Sequence, residues 1–108
     1  MSMTDSQFRH LVKDALQRLF DQIDDLPTDD IDPMSSDGVI DVCFEDDSHF
    51  VLSQQVPTRE LWLSANLTAW HFNWDGERWL ERNSREEMLG LLNRLFSEKL
   101  GMPVRFTL

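Results

Sequence analysis

A chain of 108 residues that is 41% hydrophobic, with seven Phe and four Trp, can bury a core; this excludes a disordered segment and suits one domain spanning 1–108. A net charge of −10 excludes the basic footprint that phosphate backbones require, so no nucleic-acid partner is expected. The single cysteine, Cys43, excludes an internal disulfide and a Cys-ligated zinc ribbon or cluster housed wholly by this chain, and no apolar run reaches the ~18 residues of a membrane span.

The opening MSMTDSQFRH lacks the basic-then-apolar pattern of a secretory signal, and a cytoplasmic location is expected. Thr4 and Gln7 stand at capping-box spacing and predict a helix start. Phe8, Leu11, Val12, Ala15, Leu16, Leu19, Phe20, Ile23 and Leu26 then recur at steps of three and four, which predicts one amphipathic helix of roughly twenty residues. Asp14, Asp21 and Asp25 fall opposite that stripe, with Asp24 beside them, and Pro27 ends the helix. Acids are poorly placed at a helix C-terminus, where the backbone dipole favours cations.

From Leu19 to Thr58 the chain has eleven acidic residues and no Lys or Arg. Residues 1–50 carry thirteen acids against three bases, whereas residues 51–108 carry seven of each. The acidic stretch is interleaved with Leu26, Ile31, Val39, Ile40, Val42 and Phe44, so it is expected to fold. Uncompensated like charge in a folded segment opposes compaction and points to a cation or a basic partner.

Short strands follow. Ile31–Met34 is a weak candidate; Val39–Phe44 alternates, with Ile40, Val42 and Phe44 on one face. Phe50–Gln54, Glu60–Ser64 and Ala69–Trp74 continue the series, and Asp75-Gly76 predicts a two-residue hairpin into Arg78–Glu81. Ser84 and Glu87 suggest a second capping box, opening a helix with Met88, Leu91, Leu92, Leu95 and Phe96 on its buried side and Gly101 and Pro103 at its end. Val104–Leu108 reads as an extended tail. The expected fold is α+β, an antiparallel sheet of about six strands with two helices packed on one face. The other face would be open and show Trp62, Gln54, His71, Asn73 and Cys43. Trp62, flanked by inward Leu61 and Leu63, is the candidate anchor for a partner.

Carboxylates are hard donors suited to Fe²⁺, Fe³⁺, Mn²⁺, Ca²⁺ or Mg²⁺. Spread along a helix face and a strand, they predict weak, partly hydrated binding that falls with salt and at low pH. No nucleophile triad or convergent di-iron motif is recognisable, and a non-enzymatic protein is expected.

The segments TDSQFRHLV, DQIDDLPTDDID, DGVIDVCFED, QQVPTRELWLS and WHFNWDGERW, followed by the closing amphipathic helix, resemble the frataxin family in order and over essentially the whole chain. The most specific piece is Gln55, Pro57, Leu61, Trp62, Leu63 and Ser64 after an acidic first half. Met34 and Ser53 depart from the pattern, standing where bacterial members often carry an acid and where the family usually carries Asn. The resemblance implies a two-layer α-β-α sandwich. It also implies weak iron (Fe²⁺ or Fe³⁺) binding by a ridge of Asp21, Asp24, Asp25, Asp29, Asp30 and Asp32, with Trp62 as the exposed sheet tryptophan. The implied role is to regulate, or donate iron to, iron–sulfur cluster assembly through a cysteine desulfurase and the cluster scaffold machinery, as a monomer that could oligomerise with iron. Two other readings stay open: an iron-storing or iron-oxidising protein, and an acidic interaction module with no metal role.

Overall fold

The computed structural model describes residues 3–108. Helix α1 (Asp5–Asp24) begins with the expected reciprocal cap: the Gln7 N–H donates to Thr4 Oγ1 at 3.1 Å and the Thr4 N–H donates to Gln7 Oε1 at 2.9 Å. Its stripe of Phe8, Val12, Ala15, Leu16, Leu19 and Ile23 is buried.

Six strands follow in meander order, each antiparallel to its neighbours: β1 (Ile31–Ser36), β2 (Val39–Phe44), β3 (His49–Gln55), β4 (Glu60–Ala65), β5 (Thr68–Trp74) and β6 (Trp79–Glu81). Helix α2 (Met88–Leu100) completes the layer on one face of the sheet. This is the expected two-layer α+β sandwich. The weak first strand extends to Ser36 and tolerates Pro33 because β1 lies at a sheet edge, where a missing N–H costs little. Gly38, at φ +74°, turns β1 into β2; a Cβ there would collide with the Gln54 side chain.

Helix and sheet close over a core that includes a run of aromatic edges. Phe50 packs at 4.5 Å from Phe44 and 5.2 Å from Phe96, and Phe96 lies 5.2 Å from Phe106. Phe106 belongs to the tail, which the structure locks between the helices. The Phe106 N–H donates to Asn93 Oδ1 at 2.7 Å, and the Val104 N–H donates to Ser97 Oγ at 2.9 Å. Gln22 accepts the Thr107 N–H at 2.9 Å and donates to its carbonyl at 2.7 Å.

Two expectations at the far end of the sheet are corrected. The turn after β5 has four residues rather than two, because Asp75 Oδ1 accepts the N–H groups of Glu77 and Arg78, and Trp74 pairs with Trp79. Helix α2 starts at Met88, not at Asn83-Ser84. The Ser84 hydroxyl accepts the Glu86 N–H, and Glu87 is itself the cap, accepting the Leu89 N–H at 2.7 Å. The cause is Glu81, only 6% exposed, whose carboxylate accepts the N–H groups of His71, Asn83 and Ser84 at 2.7–3.0 Å. Those bonds wind residues 82–85 into a loop against β6, with Arg85 at φ +64°, and delay the helix.

These contacts bear on stability in two measurable ways. Phe106→Ala should lose about 3–4 kcal/mol, measured by urea unfolding, because it empties a well-packed aromatic site. Burial pushes the Glu81 carboxyl up, but the amides of Ser84, His71 and Asn83 outweigh it and hold the group below its ordinary 4.5. With the folded value depressed, the stabilisation is full above 4.5 and is lost as pH falls through the folded value. Glu81→Gln should therefore cost about 1–2 kcal/mol at pH 7. The gap to the parent should narrow in the same unfolding assay as pH drops below about 4.

Candidate docking and metal-binding surface

Asp21 and Asp24 occupy the last turn of α1, Asp25 is its C-cap, Asp29 and Asp30 lie in the following turn, and Asp32 is on β1. All six are exposed. The last turn of α1 holds no base. Asp21 accepts a bond from the Gln17 amide at 2.9 Å, and among the described residues none of the six is in an ion pair.

Several carboxylates elsewhere are paired with bases. Asp5 pairs with Arg59, Asp75 with Arg78 at 3.9 Å, and Glu86 with Arg94 at 3.1 Å. Asp14, aligned with Asp21 and Asp25 on the helical wheel, is held by Arg18 at 3.1 Å, so the unpaired ridge starts about two turns later. Lys99 lines the same shallow cleft as Asp30 and Glu45, yet its ammonium is committed to Asp46 at 2.7 Å. The Lys99 bond, aided by Ser48, holds the Asp46 carboxyl well below the usual carboxylate range. Among the described residues no three His, Cys, Asp or Glu side chains converge as a metal-holding group. The ridge can therefore offer hard oxygen donors singly or in pairs to a hydrated cation, or an extended negative surface to a basic one.

The open side of the sheet is set by register. Residues paired across strands share a face, so the row Val39, Ser53, Trp62 and His71 lies on the side away from the helices. The row Gln55, Glu60 and Asn73 lies on that side too. Trp62, His71 and Asn73 thus stand together as expected, with the Trp62 and His71 rings edge-on at 4.6 Å.

Gln54 does not join them. It pairs with fully buried Leu61 and lines the cleft beneath Arg9, Val12 and Leu16 of α1. The reason is the two-residue period: Phe50 and Leu52 point into the core, so Gln54 must follow them and Ser53 takes the outward place beside Trp62.

Cys43 is on the open face, in register between Asp32 and His49. Partial burial and then the charges of Asp47, Asp32, Asp41 and Asp46 push its thiol up, which opposes a nucleophilic role. His49 Nδ1 is 2.7 Å from Asp41 Oδ1. Two residues that sequence reasoning passed over complete the face: Glu60, 3% exposed, and Arg82, whose Nε lies 3.4 Å from Glu60 Oε2. The available signal was alternation, since Glu60, Trp62 and Ser64 share one parity in β4.

Comparison with known proteins agrees with this architecture. A model of the frataxin-like domain matches residues 1–102. A protein of Azotobacter vinelandii named iron-sulfur cluster assembly protein CyaY is 37% identical over 108 residues, covering 98% of this chain and 97% of its own length. A protein of the same name from Pseudomonas fluorescens is 38% identical with the same coverage. The solved structure of a frataxin from Psychromonas ingrahamii superposes with a TM-score of 0.89 over 98% of this chain and 100% of that one; at 23% identity the likeness speaks for the fold. The meander sheet, the one-sided helical layer and the match along almost all of the sequence lead to one conclusion: this chain belongs to the frataxin family.

Proposed function

We propose that this protein is a non-enzymatic, iron-binding regulator or iron donor in iron–sulfur cluster assembly, and that it docks a cysteine desulfurase of that machinery. The name carried by its relatives supports the process. The single observation that carries the rest is the unpaired ridge: among the described residues Asp21, Asp24, Asp25, Asp29, Asp30 and Asp32 are exposed without ion pairs, whereas Asp14 and Asp46 at its margins are matched with Arg18 and Lys99.

Iron is cargo in this reading. Carboxylate oxygens of the ridge hold a hydrated ion weakly enough to release it, and the same charges steer a basic patch of the desulfurase toward the ridge. The two uses compete for one set of side chains. Steering sets the rate and orientation of encounter; the apolar contact that slows departure comes from the open face around Trp62.

Fe²⁺ titration followed by ¹H–¹⁵N spectra should shift the amides of Asp21–Asp32 first, with the effect reduced as salt rises and screens the exposed charges. Shifts confined to other regions would remove iron from the reading and leave an acidic interaction module. Replacing Asp24, Asp25, Asp29 and Asp30 together by Asn should slow association with the desulfurase by about tenfold at low salt. Trp62→Arg should weaken the complex by roughly 30-fold, a hot-spot loss, and leave iron binding intact. Normal desulfurase affinity in both variants would defeat the docking model.

A further inference from the structure

Glu60 is a carboxylate buried on the side of the sheet that faces away from the core helices, with only 3% of its surface exposed. Removing a carboxylate from water is unfavourable unless donors replace the lost hydration. Glu60 has them from its own face. The Trp62 indole N–H donates to Oε1 at 3.0 Å, the Asn73 amide donates to Oε2 at 3.0 Å, and Arg82 Nε lies 3.4 Å from Oε2.

That arrangement constrains Trp62 from two sides. Its N–H is tied to Glu60, and its ring meets His71 edge-on at 4.6 Å and 68°. Other neighbours are small: Ser53 is its partner on β3, and Ser64 and Ala69 pair in the adjoining row. The indole therefore has His71 on its β5 side and small side chains on its β3 side, with its only donor already used.

We propose that Glu60 is the positioning residue of the open face. Its carboxylate holds the Trp62 ring in one donor-satisfied orientation, so the surface fits an apolar side chain of the docking partner rather than a polar group seeking the indole N–H. A ring fixed before contact loses less freedom on binding than one that must be ordered. This inference rests on the docking role given to Trp62 above and assigns the chemistry of that contact.

The test compares Glu60→Ala and Glu60→Gln by ¹H–¹⁵N spectra, with the Trp62 indole signal assigned through Trp62→Phe, and by titration with the desulfurase. Glu60→Ala should move the Trp62 indole signal upfield and leave those of Trp70, Trp74 and Trp79 in place. Its affinity for the desulfurase should fall about tenfold, in line with the loss of a pre-ordered aromatic contact. Glu60→Gln keeps one acceptor oxygen for the indole, with the Asn73 amide free to turn and accept from the new NH2, and should restore both the signal and the affinity. Should the alanine variant unfold, Glu60→Met, of similar size and without a carboxylate acceptor, takes its place with the same expected shift and loss. An unmoved indole signal in folded Glu60→Ala, or a glutamine variant with the native indole signal but the alanine variant's weak binding, overturns the proposal. Normal desulfurase binding by Trp62→Ala would instead refute the docking role itself, and with it the partner chemistry, whatever the Glu60 variants do to the indole signal.

Discussion

The apolar stripe of α1, from Phe8 to Ile23, lies against the sheet, and each large side chain fully buried there is worth about 2 kcal/mol. Summed along the helix, this contact fixes its rotation about its own axis. Crowding Asp21, Asp24 and Asp25 at the C-terminal end costs about 0.3–1 kcal/mol per charge against the helix dipole. Apolar packing outweighs that repulsion, and the acids are turned to water as a group. The edge contact of Phe8 with Trp79, at 6.3 Å, anchors the other end of the same stripe near β6.

One-sided cover has a second effect. With both helices and the tail on one face, the sheet's remaining face is shaped by residues of opposite parity to the core. Asp32 has that parity: it pairs with Cys43, which pairs in turn with His49 on the open side. The ridge that descends from α1 therefore turns onto the open face at Asp32, so its last carboxylate and the Trp62 row lie on the same side of the sheet.

Much of this was legible in the residues. The helix with its capping box, the alternation of β2 and β4, and the outward parity of Trp62 all express strong local periods, which tertiary packing reinforced. The errors share a different cause. Polarity alone puts Gln54 on the open face, but strand period is stricter than polarity, and Phe50 and Leu52 settle its side. Ser84 has the spacing of a cap, yet the buried carboxylate of Glu81 takes the backbone N–H groups around it and holds them in a loop. Glu60 carries no signal of its burial in the sequence, since that burial depends on Asn73 and Arg82, which come together through pairing of β4 with β5 and of β5 with β6. Local pattern cannot announce such a non-local network. The six ridge carboxylates are visible as a charge run, and only the structure reveals which acids beside them, Asp14 and Asp46, are already neutralised.

Strand β1 lies at the border of the sheet, with Met34 64% exposed and, among the described residues, no strand beside its outer backbone groups. Such a border is a template for zipping to another molecule, and natural sheets guard it with charge or proline. Here Pro33 interrupts the template and Asp29, Asp30 and Asp32 repel a like border. The guard is therefore electrostatic in part and reversible: a multivalent cation that neutralises those three charges would also disarm the edge, coupling colloidal stability to the very charges exposed on the ridge.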